Sequence, residues 1–92
     1  MDLKEIRKKI KEKYYEIDVK SGELFLLAVL FEEVGELAEA VRKRDLNAVK
    51  EELADVLFMI LSLANLFDVD IESKLIEKYI RSDPSKRWDL PK

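Results

Sequence analysis

A chain of 92 residues, 48% hydrophobic and 40% charged, is one small domain, too apolar to stay disordered. It contains no cysteine and no histidine. That excludes disulfides, thiolate and imidazole ligands, and the Ser-His-Asp and Cys-His mechanisms, so any bound metal must be held by oxygen: Mg²⁺, Mn²⁺ or Ca²⁺ rather than zinc or copper.

A net charge of −3 argues against a duplex-binding protein, whose affinity comes from neutralising phosphates. The longest apolar run, residues 56–67, is twelve residues, whereas a membrane span needs about 20. The chain opens without the basic and apolar pattern of a signal peptide. A soluble, cytoplasmic protein is expected, with no membrane or nucleic-acid partner.

Two glycines and two prolines leave few turns, which favours long helices with short connections. The first predicted helix covers residues 2–17, where Leu3, Ile6, Ile10, Tyr14 and Ile17 recur at spacings of three and four opposite a lysine-rich face. Residues 18–22 break it, and Ser21 is the expected N-cap of a second helix, 22–44, ending in Arg42-Lys43-Arg44, cations that suit a helix C-terminus. Asp45 caps a third helix, 46–67, so close behind that the two must form an antiparallel hairpin. Asp70 caps a fourth helix, 71–82, which Asp83-Pro84 stops. The tail, 83–92, has no readable period. A single all-α domain follows, 1–92, with its core in 22–82.

Residues 24–31 and 56–67 are apolar on nearly every face, so each should be buried on all sides. One small chain cannot readily surround both. The expectation is a helical bundle completed by homo-oligomerisation, as a dimer or tetramer. Gly35, costly by roughly 1 kcal/mol inside a helix, points to close approach of another helix or subunit.

The feature that carries chemistry is Glu32-Glu33-Val34-Gly35-Glu36 followed by Glu52-Leu53-Ala54-Asp55. Residues three apart share a helix face, so Glu33 with Glu36 and Glu52 with Asp55 form two acidic pairs. Glu33 falls within the apolar stripe of its helix and Glu36 at the edge, while Glu32 and Glu39 lie toward solvent. A carboxylate at a core position is costly unless paired or bound to a cation. Glu39 with Lys43 is an ordinary surface pair, but Glu33 has no lysine three or four residues later. Clustered acids raise one another's pKa, and a divalent ion reverses that penalty.

These residues also carry a resemblance. Residues 30–40, with EExxE at positions 32–36, and residues 51–58, with ExxD at 52–55, closely resemble the MazG family of all-α nucleotide pyrophosphohydrolases, over about residues 24–81. The resemblance implies Mg²⁺-dependent (or Mn²⁺-dependent) hydrolysis of nucleoside triphosphates to monophosphate and pyrophosphate, a house-cleaning of the nucleotide pool. It implies Glu33, Glu36, Glu52 and Asp55 as metal ligands, with Glu32 as an accessory acid. It also relates Asn65 to a nucleotide-contacting asparagine, and residues 78–81 to a basic-aromatic C-terminal element of some members. Glu36, where water reaches, is the favoured proton acceptor. Lys74, Lys78 and Arg81, at spacings of four and three, are the candidates for meeting substrate phosphates. Two alternatives stay open: a phosphoribosyl-ATP pyrophosphohydrolase with similar carboxylates, and a non-catalytic helical dimerisation module whose acids are merely solvated.

Overall fold

The computed structural model describes residues 1–91, and Lys92, the last residue of the expected tail, lies outside them. The chain is all-α: α1 (Leu3–Ser21), α2 (Glu23–Lys43), α3 (Leu46–Phe67) and α4 (Ile71–Leu75). α4 runs straight into a π-helical turn, Ile76–Ile80, and a 3-10 turn, Pro84–Lys86, follows. No strand occurs among the described residues.

Aspartates start three of the helices. Asp2, Asp45 and Asp70 accept hydrogen bonds from the backbone N–H of Glu5 (2.8 Å), Ala48 (3.2 Å) and Ser73 (3.0 Å), each satisfying a donor that the first turn leaves orphaned. The first break is shorter than the sequence predicts. α1 continues through residues 18–21, and Gly22 alone interrupts it, at φ 88°, a conformation that a Cβ would strain. Ser21 is not an N-cap: its hydroxyl donates to the Ile17 carbonyl (3.0 Å), which suits the last turn of α1 rather than the start of α2. Arg44 and Asp68, both left-handed, end α2 and α3. The fourth helical stretch stops at Ile80, two residues short of the predicted end.

α2 and α3 form the expected antiparallel hairpin, and α1 packs against α3, where Tyr14 meets Phe58 edge-on with centroids 5.1 Å apart. The buried apolar core is Leu26, Ala40, Met59, Leu61 and Ala64. α4 is tied down by one polar knot. The Arg7 guanidinium on α1 donates to both Glu72 carboxylate oxygens (2.6 and 3.1 Å) and to the Asn65 side-chain carbonyl (2.9 Å). The Asn65 amide donates back to the Arg7 backbone carbonyl (3.1 Å).

Burial on all sides is reached only in part. Residues 61, 62, 64 and 65 are buried, but Leu24 (79% exposed), Phe31 (66%) and Phe67 (60%) are not. Among the exposed apolar residues of α2, those at 24, 27, 31, 34, 38 and 41 follow the three-four spacing of a helix-packing seam. Leu46, Leu53 and Leu57 continue it on α3. At about 100° per residue, both stripes lie roughly 120° round from the inward-facing Glu33 and Glu52. Because the helices are antiparallel, these equal rotations bring both stripes to the same side of the hairpin, away from the side where Phe58 meets α1. The accessible surface, 7499 Å², exceeds by about 2,000 Å² the roughly 5,500 Å² of a compact monomer of this mass.

Candidate functional site

Glu33 sits midway along α2, facing α3, and Glu52 sits in the second turn of α3, facing back. Both follow from the hairpin: the stripe that packs the two helices includes the carboxylates, so packing the leucines and alanines brings the acids together. One carboxylate oxygen from each of Glu33, Glu36 and Glu52 lies within 4.8 Å of the others. Glu33 and Glu52 are half-buried, and the Oε2 atom of each is buried without a hydrogen-bond partner. Glu36 is exposed at the rim.

The electrostatics follow from this crowding. The Glu33 carboxyl is pushed above its usual value of 4.5, first by its contact with the Glu52 carboxyl, which is attractive only when a proton is shared. Partial burial and the charges of Glu52 and Asp55 add to the shift. Glu36 is raised mainly by the charge of Glu33, with a smaller push from Glu32. Asp55 is exposed and stands outside the close trio, reaching it through charge. Glu32 is exposed beside Glu36. Glu39 behaves oppositely, held below its usual value by Arg42 and then Lys43. The one acid pair on α2 with cations at i+3 and i+4 is thus an ordinary surface cluster.

Two orphaned buried carboxylate oxygens and a third within reach are an all-oxygen donor set of the kind hard divalent cations take. The residues present therefore fit a Mg²⁺ or Mn²⁺ ion. A pH experiment reads the same repulsion. A carboxyl whose folded pKa is raised binds its proton more tightly folded than unfolded, so its stabilising effect is complete below the unfolded value and is lost as pH climbs through the folded one. The metal-free protein should melt at progressively lower temperature as pH rises above the ordinary glutamate value of 4.5, and Mg²⁺ should flatten that slope except for the part due to Asp18, which burial raises. Asp70, Asp83 and Asp89 have lowered values and so act only at more acidic pH. A metal-free melting temperature independent of pH across that window would contradict the geometry.

The other candidates are placed differently. Asn65 is 3% exposed, with both ends of its amide engaged by Arg7, and it lies thirteen residues beyond Glu52, about 20 Å along α3. A nucleotide reaching it would have to displace Arg7. Lys74 pairs with Glu77 (3.6 Å) at the surface, and the Lys78 ammonium lies 5.6 Å from the Tyr79 ring centre. Arg81 is exposed. No hydrogen bond or ion pair joins these three cations to the acidic trio among the described residues. Arg7 and Glu72, partners in the knot, went unremarked in the sequence. Nothing in spacing marks them, since the pair spans 65 positions.

The chain is thus an all-α helical hairpin that gathers three carboxylates, two half-buried and one at the rim. Residues 21–86 match the family described as MazG nucleotide pyrophosphohydrolase domain, and the chain belongs to that family. It is also 35% identical over 78 residues to the Uncharacterized protein YpjD of Bacillus subtilis (strain 168), covering 71% of this chain and 69% of that relative. The resemblance to this family is confirmed, and with it a nucleotide pyrophosphohydrolase domain. The family match begins at the end of α1 and stops at Lys86, so Arg7 and Trp88 lie outside it. No helix among the described residues is long and apolar enough to cross a membrane.

Proposed function

We propose that the protein hydrolyses nucleoside triphosphates to monophosphate and pyrophosphate in the cytoplasm, with Mg²⁺ (or Mn²⁺) held by Glu33, Glu36, Glu52 and Asp55. The observation that carries this is the pair of buried, unpartnered oxygens of Glu33 and Glu52 beside Glu36. Bound there, the ion would supply neutralisation of phosphate charge and activation of water. Water attacks the α-phosphorus, the bond to the α–β bridging oxygen breaks, and pyrophosphate leaves. Glu36, exposed to solvent and with its pKa raised first by the charge of Glu33, accepts the proton of the attacking water. Glu32 adds negative charge at the rim, which makes Glu36 a stronger proton acceptor. Lys74, Lys78 and Arg81 offset the acidic field by meeting the β and γ phosphates.

The decisive assay is pyrophosphate release from canonical and damaged ribo- and deoxyribonucleoside triphosphates and from phosphoribosyl-ATP, with and without Mg²⁺. Release confined to Mg²⁺-containing samples is expected, together with a raised KM in Lys78→Ala and Arg81→Ala. Absence of release throughout would leave a non-catalytic helical module.

The active unit is proposed to be a homo-oligomer in which the seams of two hairpins form a four-helix core. The excess surface, about 2,000 Å² per chain, is ample for a stable interface of about 800 Å² per partner. Gly35 borders the seam with nothing within 4 Å of where a Cβ would stand, which leaves room for a second helix to approach. Glu36 and Asp55 lie on the opposite side of the hairpin, so covering the seam leaves the site open. Phe31→Glu should therefore give a folded monomer in sedimentation. A variant still fully associated would remove this face from the interface.

A further inference from the structure

The C-terminal segment encloses a hollow of about 440 Å³ that the carboxylate site does not use, lined by Lys78, Tyr79, Pro84, Lys86, Arg87 and Trp88. Its volume falls in the range of small-molecule sites. Two aromatic rings line it. The Trp88 indole N–H donates to the Tyr79 hydroxyl, which fixes the rings edge to edge and leaves Trp88 71% exposed. The rest of the wall is mixed, with Lys78, Lys86 and Arg87 beside Ser82, Asp83 and Pro84. Lys78, Arg81, Lys86 and Arg87 against Asp83 leave residues 78–88 three units positive, in a chain three units negative overall.

That charge is only partly spent within the segment. Arg87 donates to Asp89, and Asp83 accepts from the Ser85 backbone N–H and hydroxyl, turning its carboxylate into its own 3-10 turn. Lys86 forms no ion pair among the described residues. A ligand for this hollow needs a flat apolar face for the rings and negative charge for the lysines. A bare anion lacks the first, and a neutral aromatic lacks the second.

We propose that this hollow is a nucleotide-binding site, stacking a base on Trp88 and holding the phosphate with Lys86. Choosing a nucleotide rests on the hydrolase reading, but the site itself requires neither the metal nor the carboxylates. Most of the lining lies within the residues matched by the family, and Arg87 and the stacking ring of Trp88 lie just beyond them. Stacking on an aromatic side chain is tolerant of base identity, so all common bases should bind.

Trp88 is the one tryptophan of the chain, and its fluorescence reports on the hollow alone. Each common nucleoside monophosphate, titrated without divalent ions, should quench it saturably. Free nucleosides should act more weakly, and inorganic phosphate or pyrophosphate should not quench. Equilibrium dialysis should show a loss of about five- to a hundredfold in Trp88→Ala, the range of one base–aromatic stack, with melting temperature unchanged. Lys86→Ala should weaken binding while Glu33→Gln leaves it intact. Failure of the monophosphates to quench, an equal response to pyrophosphate alone, or undiminished binding in Trp88→Ala or Lys86→Ala overturns the proposal. Failure of pyrophosphate release with quenching retained would remove the hydrolase reading and leave this site standing.

Discussion

Glu33→Gln should abolish turnover and at the same time raise the melting temperature of the metal-free protein. Loss of groups that merely orient metal ligands costs 10–100-fold in activity or affinity, so loss of a direct ligand should cost at least about a hundredfold. The stability gain has a separate cause. Glu33 faces Glu52 and stands near Glu36 and Asp55, and its carboxyl is raised by that company. A glutamine amide donates to the Glu52 carboxylate without needing a shared proton, so the repulsion disappears. The pH dependence of the metal-free melting temperature should shrink with it, as should the rise caused by Mg²⁺. Glu39→Gln is the control, since its carboxylate already pairs with Arg42 and Lys43 at the surface and should affect neither turnover nor the Mg²⁺ response. If Glu33→Gln turned over normally, the carboxylate trio would not be the catalytic centre, whatever its effect on stability.

Asn65→Ala should be the most damaging single change to the fold outside the apolar core. It removes an acceptor from the Arg7 guanidinium and a donor from the Arg7 backbone carbonyl, both in a part-buried setting. Each unsatisfied group costs about 1–3 kcal/mol, so a loss of about 2–4 kcal/mol is expected. In a domain this small that is a fall on the order of 10–20 °C in melting temperature. The damage should centre on the C-terminal end, because Arg7 also holds Glu72 at the start of α4. A substrate-contacting Asn65 would behave otherwise: KM would rise while the melting temperature stayed put. Measuring both in the same variant separates the two roles, and the closed hydrogen bonding of the amide favours the first.

Much of the architecture could be read without coordinates because it rests on local rules. Asp45 and Asp70 cap their helices since a short acidic side chain reaches the free N–H two or three residues on, a relation contained within four residues. The two-residue break at Arg44-Asp45 leaves α3 no choice but to run back along α2. Once that hairpin exists, the stripe position of Glu33 and Glu52 brings them face to face. The end of α1 was misread because Asp18 and Ser21 are turn formers only when nothing better is offered. Here Ser21 bonds back to Ile17, and Gly22 supplies the one conformation that ends the helix.

What the amino-acid sequence determined by itself is therefore the all-α hairpin and the acids placed on its inner stripe, since both follow from periods of three and four and from caps acting over a single turn. Tertiary structure alone decided which carboxylates come within a ligand's span, that Asn65 belongs to a knot with Arg7 and Glu72, and which apolar face stays uncovered. Those depend on contacts between residues tens of positions apart and on which side of the hairpin α1 covers, and no local spacing rule encodes either.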